Sequence, residues 1–148
     1  MIRTKPSRLR ASMALCAAAL LVAGGPARCA EPSPAGTAPQ TVDWQTSPLD
    51  LDLRGMNGER YTFRCPSGKA QPSRVVGSGP YTDDSSICSA AVHAGAIHAK
   101  DGGDVVIEIR PGQASYQGSE RNFIRSAGYD RAWSGSFVVL KESAASTP

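Results

Sequence analysis

Apolar positions along this chain follow two different periods. Leu49, Leu51 and Leu53 alternate with Asp50 and Asp52, which is the period of a half-buried strand. The GMNG stretch at 55–58 is turn chemistry, with Asn57-Gly58 its strongest element. Tyr61, Phe63 and Cys65 then alternate with Thr62 and Arg64, so residues 49–53 and 61–65 predict a hairpin. Residues 66–73 (PSGKAQPS) predict a loop and Val75-Val76 a short strand. Further on, Val105, Val106, Ile107 and Ile109 predict a strand ending at Pro111-Gly112, and Phe137–Leu140 a last one.

Between these runs the period changes. Ile87, Ala90, Ala91, Ala94 and Ile97 recur at spacings of three and four, with Cys88, Val92 and Gly95 widening the apolar face. Residues 85–97 therefore predict a helix that is small-sided nearly all round. Such a helix is buried and lets neighbouring backbones approach closely. Asp83, Asp84 and Ser85 are candidate N-caps, and Gly95 is a candidate terminator. The polar stretch from 112 to 133 carries Tyr116, Phe123, Tyr129 and Trp133 as expected anchors. One helix among five or six short strands predicts an α+β fold.

The amino terminus changes the picture of charge and compartment. Residues 1–10 carry four positive charges and no acid, and residues 11–23 form an apolar run broken by Gly24, Gly25 and Pro26. This is the organisation of a secretory signal, and the run is too short to cross a bilayer. Ala27 and Cys29 occupy the two small-residue positions, so cleavage after Cys29 is expected. A lipid anchor on Cys29 is disfavoured by Arg28 just before it. The expected divisions are a signal at 1–29, a Pro-rich linker at 30–42, a domain at 43–140 and a flexible tail at 141–148. All nine aromatic residues fall in the domain. The product is expected in the periplasm or outside the cell, with no transmembrane segment.

The whole chain has a formal charge of +3, from 16 Lys and Arg against 13 Asp and Glu. Five of those cations precede residue 30, and removing them leaves eleven cations and thirteen acids, a charge of −2. A mildly acidic product argues against binding driven by nucleic-acid phosphates. Beyond the signal the chain keeps Cys65 and Cys88. Two cysteines in an oxidising compartment as a rule pair. A metal site and a reactive thiol are the alternatives, though there is no CxxC and His93 and His98 are the only histidines.

The stretch Tyr81-Thr-Asp-Asp-Ser85-Ser-Ile-Cys88-Ser-Ala90-Ala91-Val-His93-Ala-Gly95 closely resembles the signature of the LCCL domain family. Cys65-Pro66 resembles the Cys-Pro that precedes that signature. Gly102-Gly103, Pro111-Gly112, Tyr116-Gln-Gly118-Ser119, Asn122, Ile124, Ser126 and Trp133-Ser-Gly-Ser136-Phe137 extend the likeness over residues 61–140. The domain has two cysteines where animal members usually carry four, which resembles a shorter bacterial type. Phe123 stands where the family usually has Gly, so a different turn backbone is expected there. The resemblance implies a central helix wrapped by short antiparallel strands, no catalytic activity and no cofactor. It also implies a secreted module binding lipid, lipopolysaccharide or another extracellular ligand.

Each candidate site has a plain structural reading beside it. His93 with Ser89 at i−4, or with Ser85, is the pair a small envelope hydrolase would use, yet no acid on that face is evident to orient the imidazole. A packed core histidine is the favoured reading, and Tyr81, Ser85, Ala90, Ala91 and Gly95 are read as structural too. Cys88 and His93 lie five residues apart, on different helix faces. Asp83-Asp84 reads better as a cap than as a catalytic pair, and Asp101 with Asp104 better as a turn than as a calcium loop. The SYQGSERN stretch at 115–122, with Tyr116, Arg121 and Asn122, is the candidate ligand loop. The expected ligand is an envelope lipid, a glycan or a protein.

Overall fold

A computed structural model describes residues 38–141. The expected signal, most of the expected linker and all but the first residue of the expected tail lie outside the described residues. The elements are β1 (Gln40–Thr41), β2 (Arg60–Cys65), β3 (Tyr81–Thr82), α1 (Ile87–Ala94), β4 (Gly103–Pro111), β5 (Glu120–Arg121), β6 (Ile124–Arg125) and β7 (Gly135–Leu140). This is the expected α+β class.

Five strands form one sheet in the order β1-β2-β4-β7-β3, and β5 and β6 form a separate hairpin. The centre of the sheet is antiparallel, with Phe63 opposite Val105 and Ile109 opposite Phe137. The alternation behaves as the sequence predicts. Phe63, Cys65, Val105, Ile107, Ile109 and Phe137 are buried. On the other face Arg60 sits opposite Glu108, and Arg64 opposite Asp104. Arg60 Nε lies 2.9 Å from Glu108, and Arg110 Nη2 lies 2.6 Å from the same carboxylate. Opposite charges directly across a ladder support its register.

α1 packs between the central strands and the β5–β6 hairpin. Every residue from Ile87 to His93 is buried. The helix is shorter than the 85–97 expected, for reasons visible at both ends. Ser86 is the N-cap, its side chain accepting the Ser89 amide at 3.1 Å. Gly95 takes a left-handed conformation with φ 75° and closes the helix. Asp83, Asp84 and Ser85 are therefore not the cap. The Cys65–Cys88 disulfide ties β2 to the first turn of the helix, with the Cα atoms 5.6 Å apart.

Four further expectations are corrected. Residues 49–53 are not a strand. Leu53 donates its amide to the Pro48 carbonyl and Asp52 to the Leu49 carbonyl, so local turns consume the groups a ladder would need. The Asp50 carboxylate reinforces them by accepting from the Ser47 amide and hydroxyl. Asn57-Gly58 is a turn, but it leads into β2 rather than closing a hairpin, and β2 pairs with β4 and β1. Val75-Val76 is no strand either, since Val76 makes only an isolated bridge with Ala127. Finally, Gln40 and Thr41, expected as linker, pair with β2 in parallel, and Val42 is buried beside them. That pairing also departs from an all-antiparallel wrap.

Candidate functional site

The signature residues converge on the interior. Tyr81 and His93 are fully buried, and the Tyr81 hydroxyl lies 2.8 Å from His93 Nδ1. His93 Nε2 lies 3.3 Å from the Ser119 carbonyl oxygen. Nε2 also lies 3.2 Å from Ser119 Oγ, so a serine other than the two weighed above touches the imidazole. The Ser119 carbonyl only accepts, which favours the proton on Nε2 with Nδ1 accepting from Tyr81. Burial holds the His93 pKa below its usual value against the raising effect of the Ser119 carbonyl, with the Arg121 charge lowering it further. Burial pushes the Tyr81 hydroxyl up to about 12. The imidazole is thus a neutral, doubly bonded core group.

The serines weighed as its partners are engaged elsewhere. Ser89 Oγ lies 2.5 Å from Ser73 Oγ. Ser85 Oγ accepts the Val76 amide at 2.9 Å and bonds Thr82 Oγ1 at the same distance. The structure does not join Ser89 or Ser85 to His93. Ala90 and Ala91 are fully buried in the helix. Asp104 binds Arg64 through both carboxylate oxygens, at 2.7 Å each. Among the described residues, no group of three His, Cys, Asp or Glu side chains could hold a metal ion.

Asp83 is the residue the sequence misplaced. Its carboxylate is fully buried and accepts Arg54 Nε at 2.6 Å, Arg54 Nη2 at 2.8 Å and Trp133 Nε1 at 2.7 Å. Arg54 also lies over the Trp133 ring, 5.6 Å from its centroid. Burial alone would raise the Asp83 pKa. The Arg54 and Trp133 donors outweigh it and hold the carboxyl below its usual value. No spacing rule joins positions 54, 83 and 133, so nothing in the sequence pointed to this cluster.

The candidate ligand loop divides. Tyr116 is buried, its hydroxyl accepting the Gln113 amide at 3.0 Å, so it is a core anchor and not a displayed group. Arg121 is exposed and reaches the Ser78 carbonyl at 3.2 Å. Asn122 is exposed as a residue, while its side-chain amide donates to the His93 carbonyl at 3.2 Å. The loop is thereby fastened to the end of the helix. Gly95 matters at this junction, since a Cβ there would lie 3.1 Å from Asn122 Nδ2.

Asn122 and Phe123 form the two-residue turn between β5 and β6, with φ of 51° and 63°. Both values are left-handed, so the turn keeps a glycine-type backbone although it holds a phenylalanine. Phe123 is 104% exposed and anchors nothing, contrary to expectation. Beside it, two open clefts run between residues 70–76 and residues 123–127, meeting at Ser73 and Arg125. The Ser73–Ser89 hydroxyl pair lies along this groove, with Phe123 at one end. Sequence reasoning missed Ser73 and Arg125. Phe123 carried a signal as a departure from the expected Asn-Gly.

The model of the LCCL domain matches residues 42–137. Human cochlin is 37% identical over 114 residues, covering 74% of this chain and 20% of cochlin. Human vitrin is 37% identical over 82 residues, covering 55% of this chain and 12% of vitrin. Human cysteine-rich secretory protein LCCL domain-containing 2 is 44% identical over 68 residues, covering 43% of this chain and 14% of that protein. The chain thus matches at most a fifth of the length of these relatives. With the match spanning most of its length, the chain belongs to the LCCL domain family.

Proposed function

We propose that this chain is a non-catalytic binding module working outside the cytoplasm, in the periplasm or beyond the cell. One contrast carries the reading. The His93 imidazole is buried and bonded to Tyr81 and Ser119, and no carboxylate is among its hydrogen-bond partners. Arg125 and Phe123, by contrast, are exposed along an open groove, and Arg121 is exposed on the same hairpin. The disulfide supports an oxidising compartment. A relative whose name includes "secretory protein" supports the same location.

The ligand surface of this reading is the β5–β6 hairpin with Arg121 and Asn122, continued by the groove beside Arg125. An exposed guanidinium presents five donors in a fixed fork suited to phosphate or carboxylate. Envelope lipid, lipopolysaccharide or acidic glycan offers those groups. Calorimetry with lipopolysaccharide, anionic-lipid vesicles and peptidoglycan fragments tests it. Saturable binding to at least one ligand, weakened several-fold by the double replacement R121S/R125S, is expected. Absence of heat with all three contradicts an envelope ligand.

A further inference from the structure

Phe123 combines two features that rarely occur together. Its backbone has φ 63°, a left-handed value that a bulky residue seldom adopts and that favours glycine at this turn position. Its side chain is 104% exposed, so no packing inside the fold explains the phenylalanine. The side chain is displayed at the apex of the hairpin, next to Asn122, whose side-chain amide fastens the same turn to the end of α1.

The two cations on the hairpin are also without an ion pair. Arg54, Arg60, Arg64, Arg74, Lys100 and Arg110 all form ion pairs. Among the described residues, Lys69, Arg121, Arg125, Arg131 and Lys141 make no ion pair within 4.0 Å. Arg121 and Arg125 flank the turn, and Ala70, next to Lys69, lines the cleft that Phe123 borders. Glu120, opposite Arg125 in the ladder, is the hairpin's own acid and leaves it net positive. The carboxylates without an ion pair among the described residues are Asp43, Asp50, Asp52, Glu59, Glu120 and Asp130, of which only Glu120 is on the hairpin.

These observations favour one kind of occupant. A protein interface needs an apolar core within about 800 Å² per partner. The other exposed large apolar residue among those described, Met56, belongs to the turn before β2, and the cleft beside Phe123 adds only Ala70, Pro72 and Ile124, a small apolar area for such a core. A bilayer interface accepts a single aromatic ring without a shaped pocket, and its phosphates attract neighbouring cations. We propose that the Asn122-Phe123 turn is a lipid-docking tip. Phe123 enters the headgroup region of an anionic lipid surface, and Arg121, Arg125 and Lys69 contact its phosphates. The proposal rests on the binding-module reading and deepens it.

The test uses the full chain and its F123W variant with vesicles of phosphatidylcholine, alone or mixed with phosphatidylglycerol. Residues 11–23, an apolar run of their own, are the same in every variant, so differences between variants isolate the tip. With anionic vesicles the added indole of F123W shifts to the blue and is quenched by lipid brominated near the glycerol. F123G partitions about tenfold more weakly. R121S/R125S loses the dependence on phosphatidylglycerol and on salt. Binding with no shift of the F123W emission overturns the tip while leaving a binding module intact. Equal binding to neutral vesicles overturns the role of the arginines. Absence of vesicle binding overturns the proposal, and the broader reading falls only if lipopolysaccharide and peptidoglycan fragments also fail to bind.

Discussion

The buried Asp83 carboxylate, in the segment that leads into α1, accepts from one edge of the Arg54 guanidinium, Nε at 2.6 Å and Nη2 at 2.8 Å. This pair connects the 49–54 turns to the helix and, through Trp133, to the strand that begins at Gly135. Removing Arg54 strands a buried carboxylate, whereas removing Asp83 leaves a guanidinium whose side chain is 37% exposed and can reach water. R54M is therefore expected to cost about 3–4 kcal/mol and D83N about 2–3 kcal/mol, read from urea unfolding. Equal or negligible losses would contradict the asymmetry.

The same pair sets a dependence on acid. Asp83 has a folded pKa below its usual value of 3.8, so the unfolded chain takes up its proton first. Its contribution is fully present above that value and is lost as pH falls through the folded pKa. Wild-type stability should fall more steeply than that of D83N below about pH 4. Parallel curves would contradict the contribution.

His93 works in a higher window. Its folded pKa lies below 6.5, so its stabilisation is complete above pH 6.5 and declines as pH falls toward the folded pKa, where only the unfolded chain is protonated. H93Q should flatten this part of the profile and lower stability by about 1–3 kcal/mol at neutral pH. Ligand affinity should persist while the variant is folded. Loss of an enzymatic turnover in a fully stable H93Q would instead revive a hydrolase.

The disulfide closes a separation of 23 residues. On the chain-entropy account, C65A/C88A should lose about 3 kcal/mol, less any penalty from repacking the two small side chains. Alkylation of the folded protein without reductant should leave both cysteines unlabelled. Labelling at both positions would contradict the bridge.

Phe123 should respond in the opposite sense to a core residue. A left-handed conformation costs a non-glycine residue about 1–2 kcal/mol, offset in part by the greater freedom of glycine in the unfolded chain. F123G should leave stability unchanged or raise it by up to about 1 kcal/mol, seen in the urea midpoint. A loss above about 2 kcal/mol would mean that the ring packs inside the fold.

The elements read correctly from the sequence are those whose burial pattern is their own. Phe63 and Cys65, Val105, Ile107 and Ile109 show strand alternation because one sheet face is buried and the other is charged. The helix is legible because its apolar residues recur at spacings of three and four. Residues 49–53 show the same alternation of burial without a strand, because side-chain caps at Ser47 and Asp50 turn the backbone locally. Period alone does not separate these cases. Within the expected ligand loop, Arg121 and Asn122 are exposed, as a polar stretch suggests, while Tyr116 was not separable from them because its burial depends on residues from 113 to 135. Arg125 and Ser73 meet only through the folded groove.

The central claim, that the hairpin surface and not the His93 interior meets the ligand, is tested most directly by a two-dimensional amide NMR titration. The titrants are lipopolysaccharide, anionic micelles and peptidoglycan fragments. Saturable shifts clustered on residues 119–126 and the facing 70–76 segment, with the buried helix amides undisturbed, are the expected result. Saturable shifts centred on the 55–58 turn or the outer face of β2 and β4, with residues 119–126 unmoved, would contradict it.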